Sequence, residues 1–562
     1  HALTQKLEGQ YAVDVLDGDV GRPEAIELLD PEAPEGQHAA KVLEAYDAWL
    51  GDTPERAIVR LMGLFDRPAD GECVAALRKV PAIGGLTEVL VDLPESRWKR
   101  ALTRLRRVGL LLGGADGELD AHPLVRTHAA ARLEETMPEA WRAGHLRLYG
   151  HLTSSTEHQP DTAEGLLPLY QAVVHGCRAG RVQEACDDVY WKRINRGSEF
   201  YSTNKLGLFG SDLTAVTAFF EKPFTRPHGS LTAADQAFLL NQAGFHLRAL
   251  GRLDESEAPM RVTLEINEEN EKWNNAAVVA GNLSELNVTL GALDQALADA
   301  ERSVELADRS GDAFMRMANH TKLADAHHQR GEVAAALALF EEAEAMQAEW
   351  QPSYPRLYSV QGYRYCDLLL ADGDASSARA VIERAEYMLD CATKNNMSLL
   401  SKSTARLSRA RAWTILAHRN DDDSPDPDAS RQARTHLDHA VEGLHAAGYD
   451  WALPFSLLAR AIFSRLIDRN VTAAKRDLQD VEDLATRCGM RLFACDAHLE
   501  RARLLRDLST AADAREQARP HVDAAKKLIA ETGYHRRDRE LANLERWLSG
   551  EAIPKEVLGA WG

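Results

Sequence analysis

Glycine recurs at a step of 40 residues in this chain, at Gly251, Gly291 and Gly331, each closing one apolar helical stretch and preceding another. A period of that length marks a repeat architecture whose unit, a helix pair, cannot bury its apolar face alone. Aligned on those glycines, the residue seven before is always small (Gly244, Ser284, Ala324), and so is the residue five after (Ser256, Ala296, Ala336). Small side chains at both places let two helices approach closely. A fourth unit ends its first helix at Gly373, with Cys366 and Ala378 in the equivalent places. The spacing predicts a solenoid whose units stack into a continuous core and curve into a groove.

That register resembles the tetratricopeptide repeat, although 40 to 42 residues per unit exceeds that family's usual length of about 34. The resemblance implies that the first helix of each unit lines the groove at positions ten, six and three before the glycine. It selects Asn241, Phe245, Arg248, Glu285, Asp325, His328, Tyr363 and Asp367 as partner-binding candidates. Tyr358 joins them from an adjoining aromatic run, Trp350 to Tyr365, that offers a second binding edge. The mixture suits hydrogen bonding and stacking with a peptide or protein trigger. The competing accounts are a solvated face for the charges and repeat-to-repeat packing for the rings.

At 562 residues the chain is too long for one compact domain. Its 45% hydrophobic and 27% charged residues are ordinary for a folded protein. A formal charge of −20, from 66 basic and 86 acidic residues, repels nucleic acid and anionic membranes at long range. Seven cysteines without a C-x-x-C pair read as reduced thiols in a cytoplasmic protein. No apolar run approaches the roughly 20 residues that span a bilayer, so no membrane partner is expected. The start at His1 points to a trimmed or processed part of something longer.

The expected fold is mainly all-α, a winged-helix-like domain followed by a tetratricopeptide-like α-solenoid. Residues 53–137 read as helices at Pro54–Phe65, Ala69–Lys79 and Pro94–Val108, then a hairpin of Leu110–Leu112 with Glu118–Leu119, then a helix after His122. That order matches a winged helix. Residues 138–230 read as an irregular helical connector with an aromatic-rich segment, Tyr190 to Phe224. The superhelix is expected over 231–550, regular to Cys391 and degenerate to Trp547, with a tail at 551–562. Asn420 to Ala429, rich in Asp, Pro and Ser, reads as a surface loop.

The segment Ala121–His122–Pro123–Leu124–Val125–Arg126, after a winged-helix pattern and before a repeat array, resembles the signal-transducing ATPases with numerous domains (STAND), the group containing NOD-like receptors. The resemblance makes residues 1–52 the helical end of a nucleotide-binding module, with His1–Ala2–Leu3 in the place of the family's Gly-x-Pro-Leu. It makes His122 the histidine of the Met-His-Asp motif, a contact to the phosphate of ADP in the intact parent, with Ala121 and Pro123 in the flanking places. A histidine before proline also serves as a plain helix start. The resemblance further implies missing N-terminal nucleotide-binding and effector domains, ADP or ATP in the parent, and an oligomer on activation.

The chain has no G-x-x-x-x-G-K-S/T phosphate loop, so no cofactor of its own and no ATP hydrolysis are expected. No G-x-S-x-G or H-E-x-x-H occurs, and the adjacent His327 and His328 would point about 100° apart on a helix. No enzyme and no metal site are expected. A basic set on the third helix, Arg97, Lys99, Arg100, Arg104, Arg106 and Arg107, suits a major groove, but the neighbouring acids and the lack of interleaved aromatics disfavour nucleic acid. The leading reading is the sensor and regulatory half of a bacterial STAND NTPase, in antiphage defence or transcription. The alternatives are a stand-alone repeat adaptor and a winged-helix transcriptional regulator with a repeat sensor.

Overall fold

The computed structural model describes residues 35–113, 117–418, 425–509 and 513–551. The expectations for residues 1–34, for residues 420–424 of the Asn420–Ala429 loop and for the tail after 551 lie outside them; the described end of that loop, Pro427–Ala429, already belongs to a helix. Chain contacts define two compact units, one ending at Ile194 and one beginning at Asn195.

The first unit contains α1 (Glu35–Leu50), α2 (Pro54–Met62), α3 (Gly71–Leu77), α4 (Glu88–Val91), α5 (Glu95–Arg107), α6 (Pro123–Thr136), α7 (Pro138–Ser155) and α8 (Ala163–Arg178). Three of its helices, α2, α3 and α8, start where a side-chain oxygen takes up free N–H groups. Thr53 accepts from Arg56 N–H before α2, and Asp70 accepts from Glu72 and Cys73 N–H before α3. The hairpin expected at Leu110–Leu119 is reduced to isolated bridges, Leu112 with Asp120 and Ala69 with Leu119. Gly113 and Gly117 flank the short connection and leave little chain to form a longer ladder. The unit ends in a π-helical stretch, Ala185–Ile194, that buries Val189 and Tyr190.

The second unit opens with α9 (Phe209–Thr217) and a small hairpin, β1 (Phe220–Lys222) with β2 (Arg226–Pro227), then becomes all-α. Helix pairs follow as α10 (Ala233–Ala249) and α11 (Leu253–Glu269), α12 (Trp273–Leu290) and α13 (Leu293–Ser310), α14 (Ala313–Gln329) and α15 (Val333–Trp350), and α16 (Ser359–Leu369) and α17 (Ala375–Lys394). The pairing continues through α18 (Leu399–His418), α19 (Pro427–Ala446), α20 (Leu453–Leu466), α21 (Val471–Cys488), α22 (Arg491–Leu508), α23 (Ala514–Thr532) and α24 (Asp538–Leu548). The chain is an all-α solenoid in its second unit. No helix among the described residues is long and apolar enough to cross a membrane.

The small positions of the sequence register are the helix contacts within each pair. Ser256, Ala296, Ala324, Ala336 and Ala378 are fully buried, and a Cβ on Gly244 would meet Met260 Cγ at 2.6 Å. The period glycines have a second role. Gly251, Gly291 and Gly331 adopt positive φ (71°, 76° and 81°), the left-handed cap that ends a helix. At each, the space a Cβ would need is taken by the far end of the chain: Cys488 Sγ at 2.5 Å, Thr532 Cγ2 at 2.9 Å and the His535 backbone at 3.0 Å. The superhelix therefore coils until its last repeats pack on its first. Asp450 N–H donates to Ala249 C=O at 2.8 Å across this seam. The expected groove is walled on its far side by the chain's own late repeats.

Candidate functional site

Between the early and late repeats of the second unit lies a partly open cavity of about 100 Å³. Its walls come from the groove-facing side of α10, α12, α14, α16 and α18, from Trp451 and α20, from α22, and from the turn between α23 and α24. Arg248, Glu285, Asp325, Tyr363 and Asp367, five of the residues selected from the register, all line it.

Two ion-pair clusters organise the walls. In the first, Glu285 accepts from Arg248 Nη1 at 2.6 Å and from Arg364 Nη2, with Lys322 Nζ at 3.9 Å. Arg364 Nε reaches Asp325 at 3.3 Å, and Gln329 donates to Asp325 at 2.7 Å. In the second, Asp367 takes Arg411 Nη1 and Arg536 Nη1, each at 2.7 Å. Beyond them, Arg537 pairs with Asp496 at 2.7 Å and with Glu540 at 3.2 Å. An apolar wall of Trp451, Phe455, Leu492 and Phe493 completes the cavity, and the Arg248 guanidinium lies 4.6 Å from the Trp451 ring centroid.

Burial acts on each of these groups, and the neighbouring charges decide the outcome. At Glu285 burial pushes the carboxyl up, but Lys322, Arg364 and Arg248 outweigh it and hold the group well below the usual range. Asp367 behaves alike: burial opposes ionisation, and Arg536 and Arg411 prevail. At Asp325 burial wins over Arg364, so its carboxyl is raised. Burial also brings Lys322 down to about 8.

The remaining sequence candidates lie elsewhere. His328 is 1% exposed, its Nδ1 3.8 Å from Asp367, and burial holds it far below the ordinary histidine range, hence neutral. Its neighbour His327 points the other way, to Glu332 at 2.5 Å. Phe245 packs among Phe209, His246 and Tyr449. Asn241 lines a separate depression with Ala237, Thr263 and Asn267. Tyr358 donates to Gln351 at 3.0 Å. In the first unit, His122 caps α6, its Nδ1 accepting from Leu124 N–H at 3.2 Å.

Sequence reasoning missed Arg364, Arg411, Trp451, Phe455, Arg536 and Arg537. A signal existed for the last two. Gly448, Gly489 and Gly533 form a second glycine series that closes the second helix of the later pairs, and Arg536–Arg537 follow Gly533 after two residues. Glu482, His498 and His521 also bring potential metal-ligand atoms within 4.8 Å of one another, but Arg501 already clamps the Glu482 carboxylate with two nitrogens.

No protein-family model and no curated protein matches the sequence. Among solved structures, the chain is similar to a Signal Transduction ATPase with Numerous Domains protein with a tetratricopeptide repeat sensor, from Pyrococcus horikoshii. Identity is 11%, coverage 90% of this chain and 67% of that one, and the TM-score 0.36. It is also similar to a Rap protein complexed with competence and sporulation factor, at 12% identity, with 75% of this chain and 97% of that one covered and a TM-score of 0.39.

Proposed function

We propose that the second unit is a ligand sensor, and that the first relays its state to a nucleotide-binding core of the STAND type in a longer cytoplasmic protein, as a switch in antiphage defence or transcription. The observation that carries this reading is the partly open cavity of the superhelix, walled by both its early and its late repeats. A ligand there touches both ends of the coil at once, so its binding energy favours one arrangement of the repeats. Differential affinity of that kind is what a population shift requires. Because the cavity is narrow, a protein trigger would enter as an extended segment, and a small molecule would enter whole.

The relay would run through α6. His122 spends Nδ1 on the helix cap, and its Nε2 would donate to the phosphate of ADP in the closed parent. Losing one such charge-assisted bond costs about 1.5–3 kcal/mol, roughly a ten- to hundredfold shift of the closed-to-open ratio. The full-length His122→Ala protein is expected to lose ADP and to oligomerise without its trigger. Wild-type ADP retention would remove the histidine from the switch. The chain by itself should not turn over ATP, since it carries no phosphate loop.

A second reading rests on α5, which exposes Arg97, Lys99, Arg100 and Arg106, as a DNA-reading helix would. Gel-shift titration with duplex DNA tests it: salt-sensitive binding lost on charge reversal of these four would favour a transcriptional regulator. A repeat adaptor with no nucleotide linkage is the outcome if the His122→Ala, ADP and DNA measurements are all silent.

A further inference from the structure

We infer that the cavity of the second unit is a site for a single carboxylate borne on an apolar or aromatic body, an inference that rests on the sensor reading and specifies its ligand. The walls carry five guanidinium groups (Arg248, Arg364, Arg411, Arg536, Arg537) against four carboxylates (Glu285, Asp325, Asp367, Asp496). Behind them Lys322 pairs with Glu285, and Glu540 pairs with Arg537 and Arg503. The lining thus holds more guanidinium groups than carboxylates in a place where an uncompensated charge is costly, so an anion is the species that balances it.

The geometry identifies the group that receives it. Arg536 spends only Nη1, on Asp367 at 2.7 Å and Gln329 at 3.1 Å. Its Nε and Nη2 have neither solvent nor protein partner. Those two nitrogens form one edge of the guanidinium, the two-pronged donor that fits both oxygens of a carboxylate. Arg248 Nε and the Tyr363 hydroxyl, on the same cavity, are likewise without partners. Four buried donor atoms with nothing to donate to are an unusual expense, and a ligand oxygen that displaces the side chains packed over them would remove it. Trp451, Phe455, Leu492 and Phe493 supply the apolar counterpart for the ligand body. On the same measure a water needs about 10–15 Å³, so the cavity suits a ligand of roughly ten non-hydrogen atoms. Both a small organic acid and the C-terminal residue of a peptide meet that description.

The test is calorimetric titration of the whole chain with 3-phenylpropionate and its amide, and with the tripeptide Ala-Leu-Phe as free acid and as C-terminal amide. The expected result is binding of at least one acid at least tenfold tighter than its amide. Binding by 3-phenylpropionate identifies a small acid as a sufficient ligand, and binding by the tripeptide acid alone identifies a peptide terminus. The variant Arg536→Lys keeps the charge beside Asp367 and loses the two-pronged edge, and Tyr363→Phe removes one donor without changing charge. Each is expected to lower the acid-over-amide preference by about tenfold or more while circular dichroism stays that of the wild type. Equal affinity for acid and amide, no binding by either acid, or an undiminished preference in a folded Arg536→Lys protein would each overturn the inference. The sensor reading fails separately, if a carboxylate binds but leaves ADP retention by the full-length protein unchanged.

Discussion

Asp325 and Asp367 occupy the same register position, six residues before Gly331 and Gly373, and line the same cavity, yet their surroundings push them in opposite directions. Asp367 sits between two guanidinium groups that hold it ionised. Removing its charge leaves both arginines buried without their carboxylate, and Asp367→Asn should cost about 3–5 kcal/mol, read as a lower midpoint in urea. Asp325 ionises against a larger burial penalty than its charged neighbours repay, so Asp325→Asn should cost less than Asp367→Asn. The pH dependence carries the same contrast. Glu285 and Asp367 are depressed, so their contribution is present above the unfolded carboxylate range of about 4 and is lost as pH falls below it. Asp325 is raised, so the folded state holds its proton more tightly and stability declines as pH rises through its titration. Glu285→Gln should flatten the acid limb of a stability-versus-pH curve, and Asp325→Asn should leave that limb intact.

At the scale of the element, the glycines separate two demands that one residue type meets together. Gly291 and Gly311 both end helices at positive φ, 76° and 69°. Around Gly311 a Cβ would meet open space, whereas at Gly291 it would meet Thr532 Cγ2 at 2.9 Å and Arg491 Cβ at 3.1 Å. Gly311→Ala should therefore cost only the left-handed backbone term, about 1 kcal/mol. Gly291→Ala adds overpacking of about 1–3 kcal/mol and should loosen the seam between early and late repeats. Chemical denaturation gives the first difference, and amide exchange near Thr532 gives the second.

These elements also show what the sequence could reveal. The helix pairs, their small contact positions and five cavity residues were legible because they recur at a fixed step. The closure was not, because Arg536 meets Gln329 and Asp367 across more than 160 positions with no repeating pattern. The late repeats place their glycines after the second helix, so a register tuned to the first helix passed over Trp451, Arg536 and Arg537. Of the hairpin expected at Leu110–Leu119, the described residues show single antiparallel bridges, Leu112 with Asp120 and Ala69 with Leu119.

At the scale of the second unit, a coil that closes on itself differs from an open cradle in the order of events it permits. The walls are joined where Arg536 binds Asp367 and where Asp450 binds Ala249, so a ligand too bulky for the remaining opening would reach the interior only while those joints are parted. Association would then be limited by the rate of parting rather than by diffusion. In a stopped-flow experiment the observed rate should level off as ligand is raised, and Gly291→Ala should lift that plateau. Departure obeys the same gate, and occupant and closed joints hold each other in place. Such a sensor would keep a record of its ligand after the concentration outside has fallen, responding to past exposure as much as to present supply.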